Sequence, residues 1–302
     1  MLKTIKIENF RGFQSFELQQ LGRINLLVGQ NNSGKTSALE AIQLLCSRKN
    51  TEQLSEVMIN RGEIVWDQNN RSGLDVRHLF YGHQIEPKIE FSISGINDDI
   101  LEKVVVSIKE VKHSIPTWIP DEIPEDQREK IIIEILNRPI RDTNELLNLA
   151  FIIKASSETG SESLTIPLSP NGCLPISHSG LSWRTENQNK GSKSQFITSS
   201  SLKISEMIEM FDRVVLTPEE ENVYEALQTI DPVIKRIATV SSDKFQYAER
   251  SRGGFDVLRS DTNQRVPIGS MGDGIWRMFG LALSTVCAKD GFLFVDEIDT
   301  GL

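Results

Sequence analysis

The chain has 302 residues, with 33 lysines and arginines against 42 aspartates and glutamates, for a formal net charge of −9. That length accommodates one large α/β domain with an insertion, or two domains, and the mild acidity excludes a chain that is basic throughout while leaving room for a local basic patch. Cys46, Cys173 and Cys287 lie far apart without C-x-x-C spacing, and no leader or apolar run of about 18 residues occurs, so the expectation is a soluble, cytoplasmic protein without disulfides, zinc or a membrane partner.

Leu2, Ile5 and Ile7, then Phe16 and Leu18, recur at close to period two and predict two antiparallel strands. The turn between them, Asn9-Phe10-Arg11-Gly12, carries one cation. Arg11 has two readings, a solvated turn residue or a nucleotide contact. A third strand is predicted over Ile24-Asn25-Leu26-Leu27-Val28, and it leads directly into Gly29-Gln30-Asn31-Asn32-Ser33-Gly34-Lys35-Thr36. This stretch fits the phosphate-loop pattern G-x-x-x-x-G-K-[ST] in its required setting, a strand entering and a helix leaving. The pattern has a mechanism: the glycines let successive N–H groups curl around a phosphate chain, and the positive end of the next helix faces it. Lys35 then reaches the β- and γ-phosphates and the Thr36 hydroxyl holds Mg²⁺. Gly29, Asn31, Asn32, Ser33, Gly34, Lys35, Thr36 and Ser37 are the nucleotide-binding candidates.

Leu39, Ile42, Leu45 and Cys46 continue at helical spacing to about Ser47. The polar segment from 49 to 73 reads as loop and short helix, and Lys88 to Ser94 alternates as a strand. His78 and His83 lie on a loop without a third ligand, which does not make a zinc site. From 97 to 215 the pattern loosens into a helix around Ile131–Leu136, a hairpin across Gly160, and a polar loop from 184 to 195. Thr217, Pro218 and Glu220 signal a helix start, and Asp231-Pro232 signals a second, with Ile234, Ile237 and Ala238 on its face. Phe245 to Tyr247 and Phe255 to Leu258 read as strands.

Two stretches near the end carry chemistry. Phe292-Leu293-Phe294-Val295-Asp296-Glu297 reads as a buried parallel strand closing on two carboxylates, with Asp296 in the Mg²⁺ shell and Glu297 polarising the attacking water. Ser270-Met271-Gly272-Asp273-Gly274, ahead of Ile275, Met278, Phe279, Ala282, Leu283 and Val286, is either a turn capping a core helix or a second anion-binding end. The absence of an N-K-x-D element favours ATP over GTP.

In the order ENFRGF, GQNNSGKT, SMGDG and FLFVDE, the chain resembles the ABC-type ATPases of the RecF, SMC and OLD-like class, particularly bacterial stand-alone or defence-associated AAA-type members. The resemblance covers residues 1 to 45 and 196 to 302. It implies an α/β P-loop NTPase with antiparallel N-terminal strands, a mostly parallel core sheet and an inserted lid. The implied segments are 1–96 and 196–302 for the ATPase core and 97–195 for the lid. It places Walker A on Gly29 to Thr36, the Walker B aspartate on Asp296 and the catalytic glutamate on Glu297. Ser270, Gly272, Asp273 and Gly274 become the signature motif that meets a nucleotide held by the partner protomer, with Arg277 following. Arg11 becomes a nucleotide-side contact, and Gln84 a glutamine near the metal. ATP and Mg²⁺ are the implied cofactors, and the implied partners are a second copy closed on ATP and a nucleic acid or an effector nuclease or toxin subunit. Such proteins continue past Leu302 into a switch histidine and a further strand, so a truncated or split ATPase is expected. The rival expectation is a nucleotide-gated binding module with little turnover.

Overall fold

The structure, a computed structural model, describes residues 1–48, 50–66, 72–111, 148–158, 160–169, 172–175, 194–198, 204–240, 254–262 and 264–298. The chain parts into two compact units, Met1–Gly191 and Ser192–Leu302. No helix among the described residues is long and apolar enough to cross a membrane.

The first unit opens with β1 (Leu2–Phe10) and β2 (Phe13–Leu18), paired antiparallel with Ile7 opposite Phe16. Helices α1 (Lys35–Ser47) and α2 (Thr51–Asn60) follow, then the short strands β3 (Ile64–Trp66) and β4 (Ser72–Asp75). Longer strands come next: β5 (Glu90–Asn97), β6 (Ile100–Val111), β7 (Asn148–Ser157), β8 (Gly160–Pro167) and the short β9 (Cys173–Pro175). They form a six-stranded sheet in the order β2-β1-β5-β6-β7-β8 and a small one in the order β3-β4-β9. Ile5, Ile7, Phe91, Ile93, Val104, Val106, Phe151 and Ile153 are buried. Phe91 also gathers Phe10 and Phe80, at ring distances of 5.0 and 5.4 Å. Helix α1 lies against this sheet at β1, β5 and β6.

Three expectations change here. The boundary expected at residue 97 falls on the tight turn between two strands of one sheet, and the hairpin across Gly160 belongs to that same sheet. Every ladder of the six-stranded sheet is antiparallel; for β1–β2, β5–β6 and β7–β8 the connecting turns are too short for parallel pairing. The strand expected over Ile24–Val28 lies in no ladder among the described residues, with Ile24, Leu26 and Val28 91%, 72% and 85% exposed. Alternation marks which side chains share a face, whereas a strand exists only through its neighbours.

The second unit holds β10 (Ser194–Ile197), α3 (Ile204–Val214), α4 (Glu220–Gln228), β11 (Ile234–Thr239), β12 (Phe255–Arg259), β13 (Arg265–Pro267), α5 (Asp273–Cys287) and β14 (Phe292–Val295). Its core joins Phe211, Leu227, Ile234, Phe255, Trp276 and Phe279, with Phe255 and Phe279 edge-on at 4.9 Å. Strands β10 and β14 run parallel, the one parallel ladder among the described residues.

The helix expected from Asp231-Pro232 is instead β11, paired antiparallel with β12. A register shift between Ile234 and Arg236 accounts for the misleading spacing: it lets Ile234 and Ile237 both face the core from one strand. Near Thr217 the helix starts at Glu220, whose carboxylate accepts from Leu216 N at 2.8 Å, while the Thr217 hydroxyl donates to Val214 O at 2.6 Å. The threonine therefore closes α3 and the glutamate reaches back over the gap. The expected helix around Ile131–Leu136, the strand Phe245 to Tyr247 and most of the loop from 184 to 195 lie outside the described residues.

Candidate functional site

The loop from Gly29 to Thr36 has the backbone of a phosphate cradle. Asn32 and Gly34 hold φ of 64° and 91°, in the left-handed region, and Ser33 N donates to Gln30 O at 3.2 Å. Gly34 then caps α1, and Ala38 N donates back to its carbonyl at 2.9 Å. Glycine is required at 34 for space as well as for φ, since a Cβ there would lie 2.6 Å from the Phe13 ring. At Gly29 a Cβ would meet the Ser33 hydroxyl at 2.7 Å. The Lys35 ammonium donates to Gly29 O at 2.8 Å and Gln30 O at 2.9 Å, which holds its positive charge over the loop. Asn31, Asn32 and Ser33 are exposed, and Thr36 and Ser37 form the first turn of α1.

Arg11 sits differently from either sequence reading. It is 5% exposed, and its Nη1 donates to Glu63 Oε1 at 2.5 Å. Its Nε lies 2.8 Å from Glu40 Oε2. That N–H does not point along the contact, so the two form an ion pair without a hydrogen bond. Glu40 Oε1 accepts from Arg61 Nε at 2.7 Å, and Arg61 Nη2 reaches Ser37 Oγ at 3.3 Å. Burial pushes the Glu40 carboxyl above its ordinary range, while Arg11 and Arg61 beside it pull the other way. Glu40, Glu63, Arg61 and Phe13 were not singled out from sequence. The available signal is a glutamate between the apolar neighbours Leu39 and Ala41, on a helix whose Ala38, Ala41, Leu44 and Leu45 are buried: a carboxylate there requires a buried counter-charge.

Gln84 is exposed, on the irregular segment after Gly82. His78 Nδ1 and His83 Nδ1 lie 3.4 Å apart, and His78 Nε2 is 3.5 Å from Asp75, itself held by Arg77. No group of three metal-ligating side chains occurs among the described residues.

The second unit carries the other two motifs. Ser270 lies in a short turn, Ile268–Met271, ahead of Gly272, whose φ of 94° starts α5. Ser270, Gly272 and Asp273 are exposed, Gly274 is half-buried, and Ile275, Trp276 and Phe279 anchor the helix in the core. The motif is thus an open helix N-terminus on a rigid base, with Arg277 half-buried one turn on. β14 delivers Asp296, whose N–H donates to Ile197 O at 2.8 Å, so the ladder with β10 runs to the carboxylate. Glu297 is exposed with φ 54°, turning away from the strand line as it leaves the ladder. In the first unit Thr36 carries a hydroxyl in the first turn of α1, and in the second unit Asp296 carries a carboxylate at the end of β14; each is an oxygen donor of the kind that a hard cation such as Mg²⁺ takes. The loop glycines leave the open backbone that a phosphate needs.

A phosphate cradle opening a sheet-packed helix, in a chain that also carries a strand-end Asp-Glu pair, defines a P-loop nucleotide-binding protein. The model of the AAA ATPase domain family matches residues 1–162, and the chain belongs to that family. It is an AAA/ABC-type P-loop ATPase of the RecF/SMC class. An ATP/GTP phosphatase of Helicobacter pylori is 20% identical over 316 residues, covering 100% of this chain and 77% of that protein. The Rad50 DNA double-strand break repair ATPase of Methanopyrus kandleri is 36% identical over 98 residues, 30% of this chain and 11% of its own. An uncharacterized protein of Methanocaldococcus jannaschii is 36% identical over 99 residues, 33% of this chain, and the match spans only 43% of that relative's length.

Proposed function

We propose that this chain binds ATP with Mg²⁺, hydrolyses it, and uses nucleotide-driven closure of two copies to act on a nucleic acid or on an effector protein. The observation that carries the reading is the loop from Gly29 to Lys35, left-handed at Asn32 and Gly34 and capping α1, in a member of the AAA ATPase domain family. In this reading the loop N–H groups bind the β-phosphate and Lys35 neutralises charge on the β- and γ-phosphates. Thr36 and Asp296 are the residues that would hold Mg²⁺, and the ion would supply charge stabilisation at the phosphate oxygens. Glu297 orients and deprotonates the attacking water. Ser270 and Gly272, presented on the open end of α5, complete the site of the other copy. The names of the Rad50 and phosphatase relatives support a nucleic-acid-associated role and nucleotide hydrolysis respectively.

Replacing Lys35 by Ala abolishes nucleotide binding in this reading, measured by titration of a fluorescent ATP analogue. Glu297→Gln retains binding, stops phosphate release and accumulates a dimer on gel filtration with ATP. Continued release of phosphate by Glu297→Gln removes that residue from its role. Binding without release by the wild-type protein, with and without nucleic acid, instead leaves a nucleotide-gated module.

A further inference from the structure

The buried charges beside the phosphate loop are not explained by folding alone. Starting from the turn between β1 and β2, a chain of contacts runs from Glu63 through Arg11, Glu40 and Arg61 to Ser37. The turn itself is clamped: Arg11 N donates to Leu79 O at 2.9 Å, and Tyr81 N donates to Asn9 O at 2.8 Å. Arg11 Nη1 also approaches His78 O at 3.3 Å, and Nη2 approaches Glu63 Oε2 at 3.4 Å. Every hydrogen-bonding edge of this guanidinium therefore faces protein. On α1, Ser37, Glu40, Gln43 and Ser47 are buried at spacings of three and four, a polar stripe on a helix otherwise packed by apolar groups.

Apolar side chains of similar volume would hold α1 at least as well, because removing charges from water costs several kcal/mol per ion. What a charged stripe adds is registry: a carboxylate bridging two fixed guanidiniums tolerates neither axial slip nor rotation of its helix. The first turn of α1 holds Lys35, Thr36 and Ser37, so the helix's registry is also the registry of the phosphate site.

We infer that Arg11, Glu40 and Arg61 are positioning residues that lock the phosphate-loop helix in register, with Arg61 acting on its first turn through the Ser37 hydroxyl. This rests on the proposed binding of nucleotide by the Gly29–Thr36 loop, and it gives Arg11 a role behind the loop rather than on the nucleotide.

The test is a double-mutant cycle read as affinity for a fluorescent ATP analogue in the full chain. Arg61 is one-third exposed at its side chain, so Arg61→Ala is expected to fold. Arg61→Ala and Ser37→Ala each weaken binding about three- to ten-fold, and the double variant is no weaker than Arg61→Ala alone, because Arg61→Ala already removes the contact through which Ser37 acts. Arg61→Lys keeps the charge but cannot fork between Glu40 and Ser37, and it recovers less than half of the loss. Glu40→Gln, matched in shape but uncharged, weakens binding at least as much as Arg61→Ala. Losses that add in the double variant, or unchanged affinity in Arg61→Ala, overturn the inference. A wild-type chain that binds no more tightly than Lys35→Ala instead overturns the nucleotide reading itself.

Discussion

At the scale of single residues the phosphate loop is held from below by an aromatic ring. Phe13 leaves β2 directly under Gly34 and stacks on Phe16 at 4.7 Å, so it cannot retreat without breaking that pair. Gly34→Ala adds a methyl at a φ of 91° and within 2.6 Å of that ring, two penalties at one atom. The strained backbone alone costs about 1–3 kcal/mol. The expected outcome is a lower denaturant midpoint together with loss of ATP-analogue binding. A Gly34→Ala protein that melts and binds as wild type shows that Phe13 yields. The double change Gly34→Ala, Phe13→Leu regains part of the stability, because it removes the clash and keeps the φ penalty.

At the scale of elements, packing distances decide what local pattern cannot. Gly95 in β5 sits where α1 and β1 converge: a Cβ there would lie 2.9 Å from Leu45 Cδ2, Leu2 Cδ1 and the Thr4 carbonyl oxygen. The oxygen belongs to backbone in a ladder and cannot swing aside. Gly95→Ala is expected to lower stability by about 1–3 kcal/mol, as overpacking does, and differential scanning calorimetry reads it. An unchanged melting temperature would mean that both β1 and α1 give way around the added methyl, in conflict with a helix locked in register against this sheet. The same contrast explains what was legible beforehand. Helix α1, the β1–β2 hairpin and β14 carry their signals in adjacent residues, namely a glycine loop, a turn and an apolar run closed by acids. The run Ile24–Val28 has the pattern of a strand and lies in no ladder among the described residues, because the pattern fixes faces and says nothing of neighbours. β6 runs for 12 residues and pairs on both sides, yet its mixed sequence ILEKVVVSIKEV hides the alternation. In β11 the bulge converts a strand's period into a helix's. Among candidate site residues, Lys35 and Asp296 are proposed from short motifs, whereas the partners of Arg11 lie 29 and 52 positions away and belong to tertiary structure.

At the scale of the whole molecule, the proposed site needs two copies. The N-terminus of α5 is open, with Ser270, Gly272 and Asp273 exposed, and in the proposed reading its N–H groups serve a nucleotide held by the loop of the other copy. In the proposed head-to-tail pair each nucleotide would lie between the loop of one copy and the Ser270 turn of the other. This arrangement makes a prediction about mixtures. Lys35→Ala lacks a working loop and keeps its Ser270 turn; Ser270→Arg keeps its loop and blocks the turn. Each variant alone has no complete site. When the two are mixed in equal amounts and exchange freely, half of the dimers are mixed, and each of those pairs one intact loop with one intact turn. About a quarter of the sites are then complete, so phosphate release recovers to about a quarter of wild type. Recovery that scales with the product of the two concentrations would tie it to assembly rather than to residual activity of either variant. If the mixture stays at the level of its parents while Ser270→Arg still binds the ATP analogue and the two variants demonstrably form mixed dimers, the site is not shared, and the Ser270 turn is a helix cap and nothing more.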